Sequence, residues 1–242
     1  LLFLVLVYIG YRALKNWTGF GTIRLQQELH GREMISDDVD VSRTVGWFTT
    51  MPPSVIDLEN THDVFRQVSI VKDTLRRMPR KGIGYSILRY LTPRNLKEDV
   101  SFAPVPEISI NYLGQFDADV GNLFSSASEP TGREWGNDTE RTNVFEFEGI
   151  VVEGRLRLTL LYNQRLHRPE TALHVLNLFK ESLLEILTRC ADADTAATTP
   201  TDFTYSSLSL DEFQAILNEV GVLADDIEDI MPLTPMQEGM LY

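Results

Sequence analysis

Hydrophobic positions change period along this chain, and each change marks an element. Residues 1–9 are an unbroken apolar run. Read on through Lys15, it predicts a buried helix that stops near Thr18-Gly19. Residues 22–30 alternate, with Ile23, Leu25, Gln27 and Leu29 on one face and Arg24, Gln26, Glu28 and His30 on the other, a strand with one polar face. Residues 37–40 read as an acidic loop, 44–50 as a β-rich stretch stopped by Pro52-Pro53, and 55–58 as a short strand. In residues 61–77, Val64, Val68, Val71, Leu75 and Met78 recur at helical spacing. A short helix follows Lys81-Gly82-Ile83-Gly84-Tyr85 and runs to Leu91 before Pro93. Residues 107–113 form a compact strand.

Residues 117–142 are polar with few apolar anchors and suggest a long surface excursion. Residues 144–152 and 155–162 pair as a hairpin about Glu153-Gly154. Residues 169–190 predict a second amphipathic helix, with Leu173, Leu176, Leu183 and Leu187 as its buried stripe. Residues 191–207, rich in Ala, Asp, Thr and Ser, carry a linker signature. Ser209 and Glu212 then form a capping box ahead of a Phe213, Ile216, Leu217 and Val220 stripe. Mixed strands and helices with long connections point to an α/β or α+β sandwich.

Composition narrows the classes. The 242 residues are 43% apolar and 24% charged, which excludes a disordered tail, a collagen-like fibre and a disulfide scaffold. A net charge of −13 disfavours partners such as nucleic acid or anionic membrane. The apolar run at the start is far shorter than the ~20 residues of a membrane span. Cys190 is the single cysteine, so neither an internal disulfide nor a Cys-based zinc site is available. A reducing, cytoplasmic setting is the expectation, with Cys190 as a buried small hydrophobe. His62, His167 and His174 show no metal-ligand spacing, so no metal is expected. Gly82 and Gly84 lack the strand and Gly-Lys-Ser ending of a nucleotide loop and read as close packing at a helix start. Because the chain opens on Leu1 rather than Met, it reads as an excerpt of a longer polypeptide.

Four strings then carry a resemblance. Glu28-Leu29-His30-Gly31-Arg32-Glu33 resembles the EGHGRE motif of epimerization domains in nonribosomal peptide synthetases, with Leu29 where that family usually has Gly. Arg43-Thr44-Val45-Gly46-Trp47-Phe48-Thr49 resembles their RTVGWFT motif. Residues 81–91 resemble the family's Gly-rich helix start, and Asn111-Tyr112-Leu113-Gly114-Gln115-Phe116-Asp117 matches the NYLGQFD strand. The tail, Asp229-Ile230-Met231-Pro232-Leu233-Thr234-Pro235-Met236-Gln237-Glu238-Gly239-Met240-Leu241, is similar to the opening motif of a condensation domain.

The resemblance implies an α/β fold of the chloramphenicol acetyltransferase-like, two-lobed sandwich type, mainly its C-terminal lobe. It implies residues 1–190 as the C-terminal part of an epimerization domain, 191–224 as a linker with a short helix, and 225–242 as the start of a condensation domain. The implied activity inverts the α-carbon of an aminoacyl or peptidyl thioester carried on the 4'-phosphopantetheine arm of a peptidyl carrier domain, with no cofactor bound directly. The family's HHxxxDG histidines would come from an upstream N-terminal lobe, so these residues alone are expected to be inactive. The implied partners are that lobe, the carrier domain and the downstream condensation domain.

Inverting an α-carbon needs a base, an acid on the opposite face, and donors for the enolate oxygen. Glu28 is the candidate proton carrier; partial desolvation would raise its pKa toward the working range. Asn111 and Tyr112 are candidates to orient thioester or enolate, although strand alternation lets only one of them face a given side. His30, Arg43 and Trp47 are supporting candidates. His30 also reads as a structural hydrogen-bonding group, Arg43 as a partner for the 37–40 loop, Trp47 and Phe48 as core, and Arg32 with Glu33 as an ion pair. The alternatives are a condensation-type domain forming amide bonds and a non-catalytic lobe that docks carrier domains.

Overall fold

The structure, a computed structural model, describes residues 2–58, 60–116, 129, 132, 136, 140–191 and 198–240. Its strands are β1 (Thr22–Gln27), β2 (Leu29–His30), β3 (Thr49–Thr50), β4 (Pro53–Asp57), β5 (Ile108–Gln115), β6 (Phe145–Val152) and β7 (Arg155–Tyr162). Five of them build a central mixed sheet in the order β4-β1-β5-β6-β7. β1, β5 and β6 are parallel, and antiparallel β4 and β7 flank them. A separate two-stranded ladder joins β2 to β3.

One face of the sheet is apolar. Leu25, Ile110, Phe145 and Phe147 point toward α1 (Leu2–Thr18) and the long helix at Pro169–Ala191, which bury it. Helix α1 is apolar on nearly every side. It is buried from Leu6 through Tyr11 and again at Ala13 and Leu14, as the unbroken run requires. Its few polar atoms are satisfied: Tyr8 Oη donates to Gln67 Oε1 (3.1 Å) and Tyr11 Oη to the Ser54 carbonyl (3.0 Å). Gly10 lets this helix touch the sheet, because a Cβ there would lie 2.4 Å from Ile110 Cδ1. Helix α2 (Val64–Arg76) starts on Asp63, whose carboxylate accepts from the Phe65 and Arg66 N–H groups. A single turn, α3 (Ile83–Ser86), follows Gly82, and the long helix that covers the sheet is α4 (Pro169–Ala191).

Several expectations are corrected. Residues 22–30 are not one strand, because the ladder breaks at Glu28. Of 44–50 only Thr49 and Thr50 pair, and Val45 is fully exposed. Pro53 opens β4 rather than stopping a strand, which an edge strand tolerates. The buried stripe of α4 is Ala172, Val175, Phe179, Ser182 and Ile186, whereas Leu173 and Leu187 are 59% and 56% exposed. Cys190 is exposed, because it lies beyond that stripe. The expected excursion at 117–142 falls mainly outside the described residues.

Residues 198–240 do not run as an extended tether. Helix α5 (Leu210–Val220) begins with the expected Ser209–Glu212 capping box. Phe203, Phe213 and Leu217 form a small core with Ala224, Ile227 and Ile230, while Ile216 and Val220 stay exposed. This core is tied to α2 by ion pairs of Asp202 with Lys72 and Arg76, by Arg66 with Asp211, and by Arg77 donating to the Leu208 carbonyl. A last short helix, α6 (Pro235–Met240), follows.

Asp202 should make this docking acid-sensitive. Partial burial opposes its charge, yet hydrogen bonds from Lys72, the Thr199 N–H and Arg76 prevail and hold the carboxyl at about 2 instead of 3.8. A depressed carboxylate stabilises the fold above its unfolded value, and that contribution is lost as pH falls through its folded value. Asp202→Asn should therefore loosen the docked segment by about 1–2 kcal/mol at pH 7, the sum of a cap and two part-exposed ion pairs. Amide exchange across 199–230 should speed up in the variant. The gap to wild type should narrow as the pH drops from 3.8 toward about 2.

Candidate active site

The other face of the sheet is polar, and the site lies there. Alternation along β5 sends Ile110 and Tyr112 into the apolar core and Ser109 and Asn111 to the polar side. In β6, Phe145 and Phe147 face the core, so Glu146 and Glu148 face the polar side, in register with Ser109 and Asn111.

Glu28 sits where the chain passes from β1 to β2. Its N–H bonds the Ile110 carbonyl (3.2 Å), while the Gln27 N–H turns the other way to the Pro52 carbonyl (3.2 Å). These bonds carry the alternation of β1 one residue past its end and set the Glu28 side chain beside Asn111, whose Nδ2 donates to Glu28 Oε2 at 2.8 Å. A fixed polar layer supports the pair. Gln26 Nε2 donates to the Met51 carbonyl (3.1 Å), and Asn143 Nδ2 donates to the Pro106 carbonyl (3.0 Å) and to Gln26 Oε1 (3.4 Å). Arg141 lies 3.7 Å from Glu146 Oε2.

Glu28 is half-buried, and its carboxyl is raised above the usual 4.5. Burial is the larger cause, since removing water penalises the charged form; the negative charge of Glu146 adds to it. The hydrogen bond from Asn111 favours the carboxylate but does not offset them. A carboxyl so placed is held in one orientation and can both accept and return a proton.

The remaining candidates are spread out. Tyr112 packs against the apolar core, on the opposite side of the sheet from Asn111. His30 is exposed, belongs to the β2–β3 ladder and lies 3.6 Å from Glu33, so it does not share a face of one continuous strand with Glu28. Arg32 does not pair with Glu33. It donates to the Val41, Thr44 and Gly46 carbonyls and covers the Phe48 ring at 4.4 Å, while Glu33 pairs with Lys81 at 2.8 Å. The carbonyls of Val41, Thr44 and Gly46 are thus held by a side chain instead of a neighbouring strand. Trp47 is 89% exposed and not core. Arg43 is exposed and, among the described residues, makes no ion pair with 37–40.

Of the two glycines expected to pack closely at the helix start, Gly82 does and Gly84 does not, since a Cβ on Gly84 would meet nothing within 4 Å. The φ of Gly82, +80°, is left-handed, and a Cβ there would fall 2.4 Å from Pro52. Glu146 is a site residue that the motif strings do not contain. The alternation Phe145-Glu146-Phe147-Glu148 carries the signal, because two buried phenylalanines force both carboxylates onto the other face. Among the described residues no group of His, Cys, Asp and Glu could hold a metal ion, and no helix is long and apolar enough to cross a membrane.

A family model described as Condensation domain matches residues 2–209. Surfactin synthase subunit 1 of Bacillus subtilis (strain 168) is 40% identical over 207 residues, 85% of this chain and 6% of that protein. Bacitracin synthase 3 of Bacillus licheniformis is 36% identical over 232 residues, 95% of this chain and 4% of the relative. The crystal structure of the epimerization domain from the third module of tyrocidine synthetase B superposes with a TM-score of 0.72 at 34% identity, covering 78% of this chain and 42% of that one. The chain therefore spans under a tenth of these two curated relatives and about two-fifths of that domain. The α/β fold with its mixed sheet is the chloramphenicol acetyltransferase-like architecture of such domains.

Proposed function

The chain belongs to the condensation-domain family, and from that premise we propose that it forms part of an epimerization domain of a nonribosomal peptide synthetase. The observation that carries this reading is Glu28: half-buried, oriented by Asn111 at 2.8 Å, and shifted toward holding its proton. Amide-bond formation asks for no proton transfer at the α-carbon, whereas stereochemical inversion asks for a carboxyl of this kind. The likeness to an epimerization domain at 34% identity supports the same choice.

The substrate is an aminoacyl or peptidyl thioester on the phosphopantetheine arm of a carrier domain. One group removes the α-proton, and the electron pair moves onto the thioester oxygen as an enolate. A second group returns a proton to the opposite face of the carbon, after which the two have exchanged protonation states. Glu28 is one of these groups, and Asn111 holds its carboxyl at the reacting carbon. The other is an imidazole from the N-terminal lobe, which pairs with the polar face of the sheet. Residues 1–190 belong to this domain, 191–224 link it onward, and 225–242 begin a downstream condensation domain. His30, Arg43 and Trp47 stand on exposed segments that a carrier arm or the second lobe could contact; Tyr112 serves packing.

The test uses the intact two-lobed protein and a carrier-bound L-aminoacyl thioester in deuterated water. Epimerization puts deuterium on the α-carbon and produces a D/L mixture. Amide formation with an acceptor thioester and no α-deuterium would instead establish a condensation domain.

A further inference from the structure

We propose that Gln27 is a positioning residue for Glu28, anchored by a chain of buried hydrogen bonds through Ser54 to Tyr11 of α1. The inference rests on the reading of Glu28 as a proton carrier. On the core side of β1, Ile23 and Leu25 are apolar, and the next position of that stripe is an amide. β4 changes character at the same place: Ile56 lies opposite Ile23, but Ser54 lies opposite Leu25. Tyr11 completes the group from the helix, and all three side chains are buried. Gln27 Nε2 donates to Ser54 Oγ at 2.6 Å. Tyr11 Oη gives its one proton to the Ser54 carbonyl (3.0 Å), so the 3.0 Å contact between Tyr11 Oη and Ser54 Oγ is bridged by the Ser54 proton. Apolar side chains of similar shape would fill this layer without needing partners, so burial alone does not account for the polar group.

Glu28 stands where such an anchor matters. The β1–β4 ladder ends at Gln26 opposite Pro53, and only Gln26 and Gln27 pair with β5. Beyond Glu28 the chain leaves for the separate β2–β3 ladder. The main chain is held at this point by the Gln27 N–H on the Pro52 carbonyl and the Glu28 N–H on the Ile110 carbonyl, both at 3.2 Å. The Gln27 side chain is a third and shorter tie. Successive side chains of an extended segment leave on opposite faces, so Gln27 points into the core while Glu28 points to the reacting side. A rotation about the strand axis that displaced the Glu28 carboxyl would pull Gln27 away from Ser54. Asn111 orients the carboxyl, and Gln27 fixes the backbone that carries it.

The experiment is a set of variants in the intact two-lobed protein, read by α-deuterium exchange into a carrier-bound L-aminoacyl thioester. Gln27→Leu keeps approximate size and removes the amide. It should lower kcat by about 10- to 100-fold with KM unchanged, because the substrate still binds and only the reacting group is misplaced. Ser54→Ala should lose less and Tyr11→Phe least, since each lies one link farther from Glu28; these two carry the comparison if Gln27→Leu fails to fold. In a Glu28→Gln background the residual exchange should be indifferent to Gln27→Leu, whereas a change that merely weakened the fold would lower it again. One readout needs no turnover: hydrogen exchange of the Glu28 N–H, followed by NMR, should speed up in Gln27→Leu while the melting temperature stays within about 4 °C of wild type. Wild-type kcat in Gln27→Leu beside an inactive Glu28→Gln overturns the positioning role and leaves Glu28 as the proton carrier. An equal further loss in the Glu28→Gln background overturns it as well, because Gln27 would then act on the fold and not through Glu28. Full exchange in Glu28→Gln removes the reading on which the proposal stands.

Discussion

Glu28→Gln in the intact two-lobed protein should reduce exchange of the substrate α-proton by about 100- to 10,000-fold. The substitution is nearly isosteric. Its amide oxygen can still accept from Asn111 Nδ2, so the local hydrogen bond and packing persist. Only the capacity to take up and release a proton is lost. Mass-spectrometric measurement of α-deuterium, with melting temperature as a check on folding, separates chemistry from structure. Exchange within tenfold of wild type would remove Glu28 from the proton path. Asn111→Ala should act on the same readout more weakly, since it frees the carboxylate without deleting it.

The second large effect concerns stability and distinguishes two stripes on α4. Phe179 is buried and stacks on Phe147 with ring centroids 5.0 Å apart, in the layer between helix and sheet. Phe179→Ala should cost about 3–5 kcal/mol, the sum of lost transfer energy and the cavity left behind. Leu173→Ala and Leu187→Ala should each stay within about 0.5 kcal/mol, because both side chains already lie largely in water. Denaturant unfolding of the three variants measures this directly. Equal losses at all three positions would mean that α4 is rotated about its axis from the orientation described.

That contrast explains why the helix is legible in the sequence and its buried face is not. The segment holds so many leucines that two stripes fit helical spacing, and counting leucines favours the one with more of them. The native stripe uses Ala172, Ser182 and the aromatic Phe179, which let α4 approach the sheet, and Ser182 satisfies its hydroxyl on the Leu178 carbonyl at 2.8 Å. The β6–β7 hairpin, the α5 cap and the polar face of β5 are readable because local chemistry decides them: a Glu-Gly turn, a Ser–Glu box, strict alternation. The segment at 41–48 misleads for the opposite reason. Its β-branched and aromatic residues suggest a strand, but the Arg32 guanidinium takes its carbonyls from outside the segment. Within the candidate site, Glu28 and Asn111 stand out through motif strings, and their contact follows from topology; Glu146 needs the strand register.

The β5–β6 pairing slips by one residue between Tyr112 and Gly114. This irregularity has a consequence for how such genes can change length. Removing Leu113, the residue without a counterpart across the ladder, would disturb only the outer end of the strand. Removing a residue between Ile108 and Asn111 would exchange inside for outside, driving an amide into grease and an isoleucine onto the reactive surface. Insertions and deletions inherited by descendants of this sequence should therefore gather beyond Tyr112 and spare the four positions before it.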